Sequence, residues 1–214
     1  MLLALILLAC HPDDDRKPIP VEDRPRLDDS AAPEDSGSTD GSDGGGSDGG
    51  EDTEPPPPDP AEDCHPDVAD WPESWADLED QVLERVNEER AAGADCGSSG
   101  TYAPTGPLAM EDHLRCAARY HSMWMADNDT LAHESPGGDL GDTPWARMSA
   151  AGFTGTQIGE NVAAGYGSAA AVIEGWMDSD GHCANIMNPS ASLIGVGYVR
   201  GGSYGHTWTQ DFGS

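Results

Sequence analysis

Positively charged residues are scarce in this sequence, and lysine occurs only once, at Lys17. The 10 Lys and Arg residues stand against 40 Asp and Glu, for a formal net charge of −30. From residue 70 onward the chain contains six arginines and no lysine. Because nucleic-acid binding depends on cationic contacts with phosphate, this charge argues strongly against a nucleic-acid partner.

The sequence also lacks an apolar run long enough to cross a membrane as a helix, which needs about 20 residues. Its longest run, MLLALILLA at residues 1–9, is typical of the apolar core of a secretory signal. The run continues into Cys10, and LLAC resembles a bacterial lipobox, whose cysteine becomes the lipidated first residue. We therefore expect residues 1–10 to be a signal peptide ending in a lipobox-like cysteine, with a lipid anchor as the only membrane contact. No Lys or Arg precedes Cys10, and a chance apolar beginning is the alternative.

Large apolar residues are nearly missing from the segment that follows. Residues 11–63 contain 18 Asp and Glu against four Lys and Arg, and they include the run DGSDGGGSDGGEDTEPPPPDP. Such a composition cannot bury enough surface to offset chain entropy. We predict a disordered acidic tether, rich in Gly, Pro and Asp, at residues 11–69. All Trp, Tyr and Phe residues lie beyond it, which predicts one folded domain at residues 70–214.

Cysteine is limited to five residues, and no pair has the CxxC spacing of a zinc ribbon. The four cysteines after Cys10 form an even set, which in an exported chain indicates disulfides with three conceivable pairings. We favour Cys96 with Cys116, since these residues flank one loop, and therefore Cys64 with Cys183. The two other pairings stay open.

The pattern of apolar residues predicts a mixture of helices and strands. Helical spacing predicts helices at residues 75–92, 108–127, 143–151 and 169–179. Alternation and glycine-rich turns predict strands at residues 158–162, 193–199 and 206–212, of which the last two form a hairpin. The fold class is therefore α+β, with a small antiparallel sheet between helices.

Three ionisable residues stand among glycines and apolar residues: His133 in LAHESP, Glu160 in IGENVA and His182 in SDGHCANI. Two imidazoles and a carboxylate can bind zinc as ligands, which leaves a fourth coordination position for water. They are scattered rather than held in an HExxH helix, so separate hydrogen-bonding residues are the alternative. Asp178 could add a carboxylate, although an acidic residue on a helix is more often simply solvated.

Four stretches of the sequence occur in the order that is typical of one protein family. They are ARYHSMWMADNDTLAHESPGG, IGENVAAG, EGWMDSDGHCANIMNPSASLIGVGYV and HTWTQDFG. Together they resemble the bacterial SCP-like branch of the CAP superfamily, which comprises cysteine-rich secretory proteins, antigen 5 and pathogenesis-related 1 proteins. The resemblance covers residues 75–214 and implies an α-β-α sandwich.

The resemblance also implies a central cavity with two histidines and two acids, which can bind zinc or another divalent cation. His133 matches the first family histidine, and Glu160, in the GEN motif, matches the first acid. In bacterial members the second histidine is the last residue of an S-x-G-H motif, and in this sequence that histidine is His182.

Two positions depart from the eukaryotic pattern. Ser179 stands at the second acid position, for which Asp178 is the candidate substitute. Thr207 stands at the second histidine position, and His206 lies one residue earlier. We therefore treat Asp178 and His206 as secondary candidates for the cavity.

From the resemblance we expect an exported, surface-tethered binding module rather than an enzyme. Its partner would be a lipid, a glycan or a protein, and its His/Glu cavity could hold a divalent metal. The alternative function is a metal-dependent, peptidase-like hydrolase, in which a zinc-bound water attacks and Glu160 is the candidate catalytic base.

Overall fold

The computed structural model describes residues 65–214. The predicted signal peptide, Cys10, Cys64 and most of the predicted tether lie outside the described residues. The described part begins with a 3-10 helix at Pro66–Val68, in which Val68 is fully buried. Folded structure is therefore present before the predicted boundary at residue 70, because Val68 packs in a core.

Five α-helices are present in residues 65–214, and four of them confirm predicted helices. They are α1 (Glu73–Ala92), α2 (Asp112–Asp127), α3 (Pro144–Ala150), α4 (Ala169–Met177) and α5 (Asp180–Ile186). Side chains cap α2, α3 and α4 at their first turns, where Glu111, Thr143 and Ser168 accept backbone N–H bonds. None of the described helices is long and apolar enough to span a bilayer.

The strands are β1 (Ala94–Asp95), β2 (Thr101–Tyr102), β3 (Ala109–Met110), β4 (Gln157–Ala164), β5 (Leu193–Val199) and β6 (Thr207–Gly213). β1 and β2 pair with each other, and the main sheet has the order β3-β5-β6-β4. β4, β5 and β6 pair antiparallel, which confirms the predicted hairpin. The two-residue β3 pairs parallel with β5, so one edge departs from the predicted antiparallel sheet.

Helices cover both faces of this sheet, which confirms the α-β-α sandwich. One core lies between the sheet and α1, α4 and α5, with Val86, Trp176 and Trp208 among its buried side chains. The other core lies on the side of α2 and α3, and includes Leu114 and Met148. Each face of the sheet therefore has its own apolar layer.

Helix α2 lies directly on the backbone of β5. A Cβ atom built on Gly195 would come 2.0 Å from the carbonyl carbon of Leu114, and one on Gly197 would come 2.2 Å from that of Ala118. The helix also bonds to β6, since Ser122 Oγ donates to Thr209 Oγ1 at 2.9 Å. These contacts fix α2 against the sheet face that carries the candidate site.

A buried ion cluster joins α1 to α2. Glu79 is fully buried, and it accepts bonds from Arg115 Nε and Arg119 Nη2, each at 2.9 Å. Trp71 Nε1 and the backbone N–H of Tyr198 donate to its other oxygen. Burial raises the pKa of Glu79, and the two arginines oppose that rise. Both carboxylate oxygens are thus bonded, as burial of a carboxylate requires.

The observed disulfide joins Cys96 to Cys183, with Cα atoms 5.5 Å apart. The predicted pairings of Cys96 with Cys116 and of Cys64 with Cys183 are therefore wrong. The reason is that the chain after α1 turns towards α5, where the N–H of Ser98 donates to Asp180 at 2.8 Å. Cys116 is also disulfide-bonded.

Removing the observed disulfide should destabilise the fold. We expect the Cys96→Ala/Cys183→Ala double variant to lose about 2–4 kcal/mol of unfolding free energy, because the bridge closes a long loop. Urea unfolding of both proteins measures the difference. In the wild type, Cys96 and Cys183 share a disulfide and have no free thiol, so neither should react with thiol reagents. A loss below about 0.5 kcal/mol, which is typical of a neutral surface change, would contradict the assignment.

Candidate functional site

Glu160 is the centre of a buried polar site beneath α2 and α3. It lies on β4, its side chain is 2% exposed, and it faces Asp211 on β6 across the antiparallel pair. His133 Nδ1 donates to Oε1 at 2.8 Å, and Arg147 Nη2 donates to Oε2 at 2.6 Å. Burial alone would raise the pKa of Glu160, but the His133 hydrogen bond and the nearby positive charge hold it below its ordinary value.

Arg147 connects this carboxylate to the loop that follows α2. The side chain is fully buried on α3, a helix that begins with a Thr143 cap and a proline. Its Nη1 donates to Ser135 Oγ and its Nη2 donates to the backbone oxygen of His133, each at 2.8 Å. One guanidinium therefore fixes both Glu160 and the backbone that carries His133.

His133 extends from the buried network to the protein surface. Its side chain is 31% exposed, whereas the Glu160 and Arg147 side chains are almost wholly buried. Nδ1 is held by Glu160, so the exposed part of the ring is the part that a ligand could reach. A carboxylate that fixes the tautomer and orientation of an imidazole in this way is common in binding and catalytic sites.

His121 contacts the site from the protein interior. It lies on α2, is fully buried, and its Nε2 bonds to the backbone oxygen of Ala132 at 2.8 Å. The same nitrogen lies 4.0 Å from Glu160 Oε1. Burial lowers the pKa of His121 to about 4, so its imidazole is neutral at pH 7. Its contact fixes the residue that precedes His133.

Asp211 belongs to the same network, and the sequence analysis missed it. It is fully buried and pairs with Glu160 in the strand register. Burial raises the pKa of Asp211 well above its ordinary value, the charge of Glu160 raises it further, and Arg147 opposes both only in part. The alternation of TWTQDF could have indicated that Asp211 lies on the sheet face opposite to that of Gln210. Pairing Asp211 with Glu160, however, requires the register of β4 with β6.

Asparagine at position 211 should stabilise the protein at neutral pH. Because the pKa of Asp211 is raised in the folded protein, the stability that this group contributes is fully present below the pKa of an unfolded aspartate, near 4. That contribution is lost as the pH rises through the folded-state pKa. Asp211→Asn has no proton to lose, so we expect a gain of about 1–3 kcal/mol at pH 7–8 that vanishes near pH 3. Urea unfolding across this range measures it. A pH-independent difference would contradict the assignment.

The other predicted residues do not join this group. Asp178 is exposed at the end of α4. His206 Nδ1 bonds to Tyr198 Oη at 2.7 Å, beside the aromatic cluster of the opposite core. His182 is half-buried on α5, and its backbone oxygen accepts a bond from Asn161, the residue after Glu160. The structure thus brings together His133 and Glu160, and adds Arg147, Asp211 and His121.

The arrangement does not fit a metal ion bound directly by Glu160. Both of its carboxylate oxygens already accept bonds, and the Arg147 guanidinium supplies the neighbouring positive charge. Within residues 65–214, His133, Glu160 and His182 do not form a group whose ligand atoms all lie within 4.8 Å of one another. Glu160 is arranged here to orient His133.

The α-β-α sandwich and this buried His–Glu–Arg site define a class of domain. The family model for the cysteine-rich secretory protein family (CAP) matches residues 83–212. The chain belongs to this family. The match includes His133, Arg147, Glu160 and His182.

Known proteins with similar sequence or structure agree with this membership. The YkwD protein of Bacillus subtilis (strain 168) is 35% identical over 141 residues, which are 66% of this chain and 49% of YkwD. This chain therefore spans about half the length of that relative. An SCP-domain extracellular protein from Bacillus anthracis str. Ames has a TM-score of 0.50 at 27% identity, covering 66% of this chain and 43% of that one.

An outer surface protein from Borrelia burgdorferi shares the fold. Its TM-score is 0.50 at 18% identity, and the likeness covers 68% of this chain and 95% of that protein. At this level of identity, the likeness supports the fold alone.

Proposed function

We propose that this chain is an exported CAP-domain binding module, which holds a ligand at the surface around His133. The observation that carries the proposal is the anchoring of Glu160 through both carboxylate oxygens, which makes it a fixed support for a partly exposed imidazole. Export is supported by the signal-like run at residues 1–9 and by the similar Bacillus anthracis protein, which is described as extracellular. Lipidation of Cys10 would tether the module to the cell surface.

Exposed apolar side chains on the segments that supply the site favour an amphipathic ligand. Leu131 and Trp145 are each 46% exposed, and they precede His133 and Arg147 by two residues. Large exposed apolar groups beside a polar group are typical of surfaces that bind lipids, glycans or proteins. Leu131 lies on the same loop as His133, so a ligand bonded to the imidazole could extend towards it.

The proposal is tested by nuclear magnetic resonance with a panel of solubilised lipids, oligosaccharides and peptides. A ligand should shift the amide signals around His133, and His133→Ala should weaken its binding about tenfold, as expected for one lost hydrogen bond. Glu160→Gln keeps the side-chain shape and one acceptor oxygen, so it should weaken binding less than His133→Ala does. His113→Ala is the matched control, because His113 is an exposed histidine on α2. Shifts confined to other surfaces would overturn the proposal.

A metal-dependent hydrolase is the second candidate function. The observation in its favour is the His133–Glu160 pair, since a carboxylate that orients an imidazole also serves general acid–base chemistry. Its test is a panel of peptide and ester substrates with zinc, manganese or magnesium added. Metal-dependent turnover that is lost in Glu160→Gln would replace the binding-module proposal, whereas absence of turnover would remove the hydrolase.

A further inference from the structure

A second group of potential metal ligands lies apart from Glu160. It consists of His65, Asp67 and Asp139, and one ligand atom from each lies within 4.8 Å of the other two. His65 Nδ1 is 3.7 Å from Asp67 Oδ2, and His65 Nε2 is 3.9 Å from Asp139 Oδ2. The group joins the 3-10 helix at Pro66–Val68 to the loop between α2 and α3.

The local structure holds the His65 side chain and the backbones of Asp67 and Asp139 in place. The His65 side chain is only 11% exposed, and its ring meets the Tyr120 ring edge-on, with centroids 4.8 Å apart. The N–H of Asp67 donates to His65 Nδ1 at 3.3 Å. Tyr120 Oη accepts the N–H of Asp139 at 2.6 Å, so one tyrosine positions both segments. Binding an ion would therefore have to order only the two carboxylate side chains.

The charge of this group also favours a cation. Glu79 and Glu160 are each paired with arginine. By contrast, within residues 65–214 the carboxylates of Asp67 and Asp139 form ion pairs only with His65. One carboxylate thus lies near each nitrogen of the His65 ring, without a guanidinium to neutralise it, in a chain of net charge −30.

The donor atoms indicate which cation would bind. Calcium and magnesium prefer sets made entirely of oxygen, whereas an imidazole nitrogen with carboxylate oxygens suits zinc and similar transition metals. Because Asp67 and Asp139 are largely exposed, water can complete the coordination.

We propose that His65, Asp67 and Asp139 form a divalent-cation site of zinc type, separate from the Glu160 site. The ion would fasten the 3-10 helix at Pro66–Val68 to the loop that leads from His133 to α3. That loop also precedes Arg147, so a bound ion would stabilise the segment that supplies the neighbouring site. This inference does not depend on the proposed function.

The test is calorimetric titration of the full chain with zinc in excess calcium, which occupies weak sites made of carboxylates alone. We expect one zinc equivalent to bind to the wild type, and at least about tenfold weaker binding in His65→Gln and in Asp139→Asn. Asp139 is 79% exposed and its asparagine variant keeps the backbone bond to Tyr120, so this variant should fold normally. Residues 1–64 are the same in every variant, so their contribution cancels.

Two control variants make the result specific. His113→Gln removes an exposed histidine that pairs with the carboxylate of Glu111, and it should leave zinc binding unchanged. His133→Ala should also retain the zinc equivalent, which separates this site from the one around Glu160. Equal zinc binding by the wild type and Asp139→Asn, or no binding by the wild type, would overturn the proposal.

Discussion

Replacing Arg147 with methionine is expected to lower the free energy of unfolding by about 3–5 kcal/mol. Methionine keeps much of the buried volume but removes the only guanidinium that pairs with Glu160 among the described residues. The buried carboxyl groups of Glu160 and Asp211 would then face each other without that positive charge. Urea unfolding at pH 7, followed by tryptophan fluorescence, measures the effect.

The matched control is Arg200→Met, because Arg200 is exposed at the end of β5. It should change stability by less than about 0.5 kcal/mol. Adding Glu160→Gln to Arg147→Met should recover part of the loss, since the unpaired buried charge is then removed. Equal stability of the wild type and Arg147→Met would show that Arg147 does not support Glu160.

An alanine at Gly197 should disrupt the fold, with an expected loss of more than about 4 kcal/mol. Its Cβ would lie 2.2 Å from the carbonyl carbon of Ala118 and 2.3 Å from the backbone nitrogen of Arg119. Backbone atoms in the middle of a helix cannot rotate away as a side chain can, so α2 would have to move off β5. Because α2 carries His121, the candidate site would be disturbed as well.

Circular dichroism and urea unfolding of the purified variant measure this effect. Gly106→Ala is the control, because a Cβ built on Gly106 has no neighbour within 4 Å. It should fold with nearly unchanged stability. A Gly197→Ala variant as stable as Gly106→Ala would contradict the close packing of α2 on β5.

Periodicity in the sequence was enough to predict the larger elements. The four predicted helices and the β5–β6 hairpin are long or strongly patterned, so local signals determine them. The seven-residue α5 was missed because it follows α4 after only two residues and contains Gly181. The two-residue β3 was missed because its only stabilising partner in the described sheet, β5, is distant in the sequence.

The candidate site was predicted in part, and the missing part depends on long-range contacts. His133 and Glu160 stood in recognisable motifs, and the structure places them in one hydrogen bond. Arg147 and Asp211 carry no motif of their own, since only the packing of α3 and the register of β4 with β6 bring them to Glu160. The disulfide prediction failed for the same reason, because closeness in sequence does not determine which loops meet.

The hydrogen bond from His133 to Glu160 is the contact on which the proposed site depends. Long-range 15N–1H correlation spectra report which ring nitrogen of a histidine carries the proton, a feature that heavy-atom positions alone do not show. At a pH where the ring is neutral, we predict that His133 carries its proton on Nδ1, because Glu160 can only accept. A proton on Nε2 with a bare Nδ1 would contradict the account, since Glu160 would then not orient the imidazole.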